Sequence, residues 1–136
     1  MKRIRTLIFS LIILVACKDK DETDLSVEGT WLPVKEVVSG CDNDGANGTV
    51  NYDANGCVGK TCRELIFFEE IFTDRITDEG GVVDDSHVYE VEGKKLILYY
   101  SNDVVVEVPI DGDNLTITTW DELTGCTAVT TYTRKK

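Results

Sequence analysis

Four short runs rich in Val, Ile, Leu, Tyr and Thr follow one another at residues 86–91, 95–100, 104–110 and 115–120. The turns between them are Glu92-Gly93-Lys94, Ser101-Asn102-Asp103 and Asp111-Gly112-Asp113-Asn114. Connections this short can only join neighbouring antiparallel strands. Alternation within the runs gives each a face: Leu96, Leu98 and Tyr100 share one, Val104, Val106, Val108 and Ile110 the next, Leu115 and Ile117 another, with Thr116 and Thr118 opposite. A loop at 121–125 leads to a last run at 126–134, and the first half adds runs at 31–38, 63–68 and 70–76. The last two can also be drawn as one amphipathic helix over 63–75, although Phe, Ile and Thr there favour strands. Eight meandering strands bury their edges best by closing, so the fold predicted is all-β, a small eight-stranded antiparallel up-and-down barrel, with a two-sheet sandwich as the alternative.

The N-terminus sets the compartment. Lys2, Arg3 and Arg5 precede an apolar run, residues 4–16, that ends in Leu14-Val15-Ala16-Cys17, the layout of a lipobox. The run falls short of the roughly 20 apolar residues a spanning helix needs. Residues 1–16 therefore read as a lipoprotein signal peptide that is removed, and Cys17 as the lipid anchor, with palmitate among its acyl chains. Residues 17–28 read as lipidated cysteine and charged tether, beginning Lys18-Asp19-Lys20-Asp21-Glu22-Thr23-Asp24, and residues 29–136 as the folded domain. The predicted location is the cell envelope, as an outer-membrane lipoprotein. The acidic tether is similar to the export signal of surface lipoproteins of Bacteroidetes, and a plain linker on a periplasm-facing protein fits equally well.

Removal of 16 residues from 136 takes three basic residues and no acidic one. It leaves 11 Lys plus Arg against 25 Asp plus Glu, a net charge of −14. Such a surface is a poor match for nucleic acid. Contact with membrane is expected through the N-terminal lipid alone.

Gly29-Thr30-Trp31, Gly93-Lys94-Lys95-Leu96, Gly112-Asp113-Asn114-Leu115 and Tyr132-Thr133-Arg134 occur in that order after the acylated cysteine. In this the chain resembles the lipocalin-like lipoproteins of Bacteroidetes over roughly residues 29–134. The resemblance implies a lipocalin-like barrel with an arginine packed across the tryptophan of the Gly-x-Trp motif. In a closed meander the first and last strands pair antiparallel, so partner positions share a constant sum. Setting Cys41 opposite Cys126 gives 167 and places Arg134 opposite Pro33, one diagonal step from Trp31. A bulge shifts that sum by one.

Apart from Cys17 the domain has four cysteines, Cys41, Cys57, Cys62 and Cys126, in an oxidising compartment. Barrel closure favours Cys41 with Cys126, leaving Cys57 with Cys62. A zinc site is the alternative, but only Cys57 and Cys62 approach knuckle spacing, so no metal and no cofactor are predicted.

Other motifs are weaker. Residues 54–61 fit a relaxed phosphate-loop pattern, yet they sit in a loop before a strand instead of opening a helix. Residues 51–56 echo a calcium loop whose twelfth position is Cys62 in place of glutamate, and Asx turns explain the same composition. His87 alternates with Tyr89 and Val91 on one strand and has no evident catalytic partner. The adjacent pairs Glu69-Glu70 and Asp84-Asp85 point to opposite faces of strands. The domain thus reads as non-enzymatic.

One functional reading is a binding module for a small apolar or amphipathic ligand, the barrel lined by Trp31, Phe67, Tyr89, Leu96, Leu98, Tyr100, Val106 and Ile117. The alternative is an envelope or surface interaction protein, or an enzyme inhibitor, with the barrel filled and the 39–61 loop as recognition surface.

Overall fold

Runs of alternating apolar residues become strands wherever the sequence predicts them, and the turn residues end them. The computed structural model describes residues 26–100 and 104–136. The signal peptide, Cys17, the tether as far as residue 25 and the turn at 101–103 lie outside the described residues. Among those described, the strands are β1 (Gly29–Ser39), β2 (Gly48–Asn51), β3 (Cys57–Val58), β4 (Thr61–Phe68), β5 (Ile71–Asp78), β6 (Gly81–Glu92), β7 (Lys95–Tyr100), β8 (Val104–Asp111), β9 (Asn114–Trp120) and β10 (Thr127–Arg134). One 3-10 turn, Asp44–Ala46, lies between β1 and β2. Residues 63–75 take the strand reading, divided between β4 and β5.

Strands β4 to β10 pair in sequence order, β10 pairs with β1, and β1 returns to β4. Eight antiparallel strands therefore close an up-and-down barrel. The β1–β4 closure holds only at its lower end, through Gly29↔Phe67, Thr30↔Ile66 and Trp31↔Leu65. Above these rungs the two strands diverge, and the segment between them fills the gap. Strand β2 pairs with the free edge of β1 from Lys35↔Asn51 to Val38↔Gly48, and β3 pairs with β4. These two short strands were not predicted, since runs of four and two residues carry no readable period.

Closure between β1 and β10 drifts in register. Trp31 stands opposite Arg134, Leu32 opposite Thr133 and Pro33 opposite Tyr132, so the sum there is 165; it becomes 166 from Lys35↔Thr131 to Ser39↔Thr127. The pairing of Arg134 with Pro33 is therefore corrected to a direct pairing with Trp31. The shift of two comes in two steps, one between the Cys41–Cys126 bridge and the Ser39↔Thr127 rung and one at the irregularity between Pro33 and Lys35, where a proline without an N–H interrupts the ladder. Both disulfides form as predicted, Cys41–Cys126 at the upper end and Cys57–Cys62 as a rung between β3 and β4.

The lower half of the barrel is solid. Trp31, Leu65, Phe67, Phe72, Leu96, Leu98, Val108, Leu115, Ile117 and Tyr132 meet there as one buried cluster. Val27 plugs the floor, its carbonyl accepting a 2.8 Å hydrogen bond from Trp31 Nε1. Residues 26–28, the end of the stretch read as tether, are thus docked: Arg134 donates to the carbonyls of Ser26 and Glu28. On the far wall, β8 meets β9 at Ile110↔Leu115 and Asp111↔Asn114, and no higher rung pairs among the described residues.

Candidate functional site

Polar residues appear on the inner face of the barrel as soon as the apolar cluster ends. Period-two alternation puts Arg63 on the same face as Leu65 and Phe67, Asp74 with Phe72, His87 with Tyr89, Tyr100 with Leu98, and Thr130 with Tyr132. Glu36, opposite Thr130 in the ladder, completes the belt.

The belt is internally bonded. Arg63 Nε donates to Asp74 Oδ1 at 2.9 Å and Nη2 to Oδ2 at 2.5 Å, a two-pronged pair, while Nη1 reaches Glu36 Oε2 at 3.4 Å. Thr130 Oγ1 donates to the same Glu36 oxygen at 2.9 Å. Although these side chains point inward, Arg63 keeps 29% of its surface exposed, Glu36 20% and Asp74 18%. Inward groups that remain wet mean that solvent enters the upper barrel.

Burial governs the titration of this region. Tyr100 is pushed up to about 12, first by burial and then by the charge of Asp74. Burial likewise raises Tyr132, against the neighbouring Arg63 charge, and Tyr52, which the segment between β2 and β3 brings close to Glu36 and Arg63. Burial is the largest single influence and works to depress the Arg63 guanidinium, but the hydrogen bond to Asp74 and the charges around it, those of Asp74 and Glu36 included, together outweigh it and drive the group upward. At neutral pH the belt is therefore an ionised guanidinium with neutral phenols around it.

Above the belt stands an apolar lip. The rung Ile76↔Val83 continues the inner face two residues beyond Asp74↔Asp85, and both side chains are exposed, at 40% and 67%. Between lip and core sits His87, its side chain only 8% exposed, its ring 5.3 Å from Phe72 and 5.3 Å from Tyr100. An Asp85 oxygen lies 2.9 Å from its Nε2 but off the hydrogen-bonding direction, so that buried nitrogen has no hydrogen-bond partner among the described residues.

Of the predicted lining residues, Trp31, Phe67, Tyr89, Leu96, Leu98 and Ile117 pack into the closed cluster, while Tyr100 and Val106 stand at its upper margin, partly buried. The belt residues Glu36, Arg63, Asp74 and Thr130 escaped a reading that assigned apolar residues to the interior. For Arg63, Asp74 and Thr130 the spacing of two from Leu65, Phe72 and Tyr132 was the available signal, while Glu36 follows the irregularity at Pro33 and had none.

The remaining motifs resolve locally. Asp53 Oδ1 accepts from the N–H of Asn55 at 2.8 Å and of Cys57 at 2.9 Å, an Asx-type turn that explains the calcium-like composition. Lys60, in the phosphate-loop pattern, pairs with Glu79 at the surface, and a strand follows it. A separate open groove of about 410 Å³ lies outside the lower end, between the Glu69-Glu70 turn and residues 88–92, with four glutamates around Tyr89. It holds like charges without a counter-group, which makes the wet inner belt the better candidate. No protein-family model matches the chain, and no curated protein matches it.

Proposed function

We propose that this chain is a lipid-anchored, non-enzymatic binding module of the lipocalin-like lipoprotein type, exported to the cell envelope and held to its membrane through Cys17. Its ligand is a small amphipathic molecule that enters the upper end of the barrel. The observation that carries this reading is the wet inner belt of Glu36, Arg63 and Asp74 above a filled apolar floor. A polar head at belt level and a short apolar body against Tyr100, Val106 and the Ile76–Val83 lip match these surroundings. The docked segment 26–28 leaves the barrel at its closed end, so an anchor upstream leaves the open end facing away from the membrane.

Native mass spectrometry of the delipidated protein from its own cells tests this. A retained small molecule, lost in a Val106→Trp variant that still folds but fills the space above the core, is the result expected. A protein that comes through without a small molecule, and takes up none from a total lipid extract, overturns the reading.

A second reading has its own support. The 39–61 segment is held by two strands, a 3-10 turn and both disulfides, as a surface that recognises an envelope protein or inhibits an enzyme would be. A protein that co-purifies, and is lost when residues 42–47 are replaced by glycine and serine, would select it.

A further inference from the structure

We infer that the upper end of the barrel selects a cationic head group, a protonated amine or quaternary ammonium on a short apolar body, and excludes carboxylates. This rests on the reading of the barrel as a small-ligand binder and specifies the chemistry of that site.

The rungs of the β5–β6 hairpin supply the first argument. On the outer face Arg75 stands opposite Asp84, and the two form an ion pair at 2.7 Å. On the inner face of the adjacent rung Asp74 stands opposite Asp85, carboxylate against carboxylate. Like charges directly opposite each other destabilise a ladder unless a cation intervenes. Arg63 answers for Asp74, but it is also the guanidinium that serves Glu36. Glu36 and Asp74 thus share one arginine, whose Nε, Nη1 and Nη2 are all directed at these two carboxylates, while Asp85, beside the His87 ring, has no arginine or lysine against it among the described residues. An incoming anion finds no unopposed positive group in this belt; an incoming cation finds excess negative charge.

The second argument comes from the aromatic side chains beside Asp85. The Nε2 of His87 is buried without a hydrogen-bond partner among the described residues, and its ring sits between Phe72 and Tyr100. Phe72 and Tyr100 meet edge to face at 5.2 Å, so His87, Phe72 and Tyr100 form an aromatic wall beside Asp85. An ammonium group is attracted to aromatic faces, and a wall of this kind next to a carboxylate suits it better than a carboxylate head. The chain's net charge of −11 draws cations toward the opening and repels anions.

Three octyl probes of one length separate the outcomes: octyltrimethylammonium, octanol and octanoate, each titrated calorimetrically into the full protein at neutral pH and low salt. The ammonium probe is expected to bind about tenfold more tightly than octanoate, with octanol between. Asp85→Asn and, separately, Glu36→Gln should each weaken the ammonium probe several-fold, with the far-ultraviolet spectrum unchanged. Asp111→Asn, the same loss of charge at the closed end, should leave it as it was. Octanoate binding as tightly as the ammonium probe overturns the charge preference and leaves the binding-module reading standing. Equal effects of Asp111→Asn and Asp85→Asn would place the probe on the general acidic surface and also overturn the inference. Failure of all three probes removes the binding-module reading itself.

Discussion

The guanidinium carbon of Arg134 lies 4.5 Å from the centroid of the Trp31 ring, and the two residues are direct partners across the β1–β10 closure. The contact seals the lower end: Trp31 holds the Val27 carbonyl, while Arg134 holds those of Ser26 and Glu28 and lies 3.5 Å from Asp113. One residue pair thus fastens the first strand, the last strand and the entering chain.

Arg134→Ala should lower unfolding free energy by about 1–3 kcal/mol, from the lost cation–aromatic contact and the charge-assisted hydrogen bonds. Arg134→Lys should recover part of this, since it keeps the charge and loses the flat fork. Urea titration of the three proteins checks the order, and an unchanged midpoint for the alanine variant would contradict it.

The two disulfides should differ in weight. Cys41–Cys126 closes a separation of 85 residues and Cys57–Cys62 one of 5. In the chain-entropy account the first is worth about 4.5 kcal/mol and the second about 2. Paired serine replacements at each bridge, compared by chemical denaturation, should show the larger loss for the long bridge. Equal losses would mean that native packing, not loop closure, sets both.

Gly56 and Gly112 both have positive φ, +76° and +57°, but only one is crowded. A Cβ at Gly56 would lie 2.7 Å from the Arg63 carbonyl oxygen and 3.0 Å from Pro33 Cδ; at Gly112 it would meet nothing within 4 Å. Gly112→Ala should cost about 1–2 kcal/mol, the strain of the left-handed backbone alone. Gly56→Ala should cost about 1–3 kcal/mol more, since backbone must move. Thermal unfolding of the two variants decides this, and similar midpoints would count against the fit of the 40–60 segment into the barrel gap.

Stability should fall at alkaline pH. Tyr100 ionises near 12 in the folded protein and near 10 when unfolded. Between those values the unfolded chain holds fewer protons, so unfolding free energy decreases as pH rises; the contribution is complete below about 10 and gone above about 12. Burial of Tyr132 acts in the same direction. The loss from Tyr100 is roughly 3 kcal/mol, read by denaturant titrations at pH 9 and upward, about one unit apart. Phenolate absorbance should show Tyr100 lagging behind free tyrosine, and Tyr100→Phe should flatten the decline.

Much of the barrel was readable because its turns and alternation agree. Gly93 and Gly112 mark hairpins at the predicted places, and Leu96, Leu98, Leu115 and Ile117 face inward as their spacing requires. The inner belt was harder to see. Arg63 and Asp74 carry charge into the interior, and they become compatible with it only through each other, a partnership between two strands that no single run displays. Strands β2 and β3 were invisible for a related reason: they form because β1 and β4 diverge and leave backbone groups to be matched, as when Tyr52 N–H donates to the Val34 carbonyl at 3.0 Å. The register error at Arg134 came from two single-residue steps, one just below the Cys41–Cys126 bridge and one at Pro33, neither of which has a mark in the run of residues.

Because β1 is bordered by β4 on one margin and by β10 on the other, the first strand synthesised is the last to be completed. Until the tail arrives, a growing polypeptide has two raw margins and nothing to join them. Loss of Tyr132, Thr133 and Arg134 would take away the rungs to Pro33, Leu32 and Trp31 and leave the ring open below.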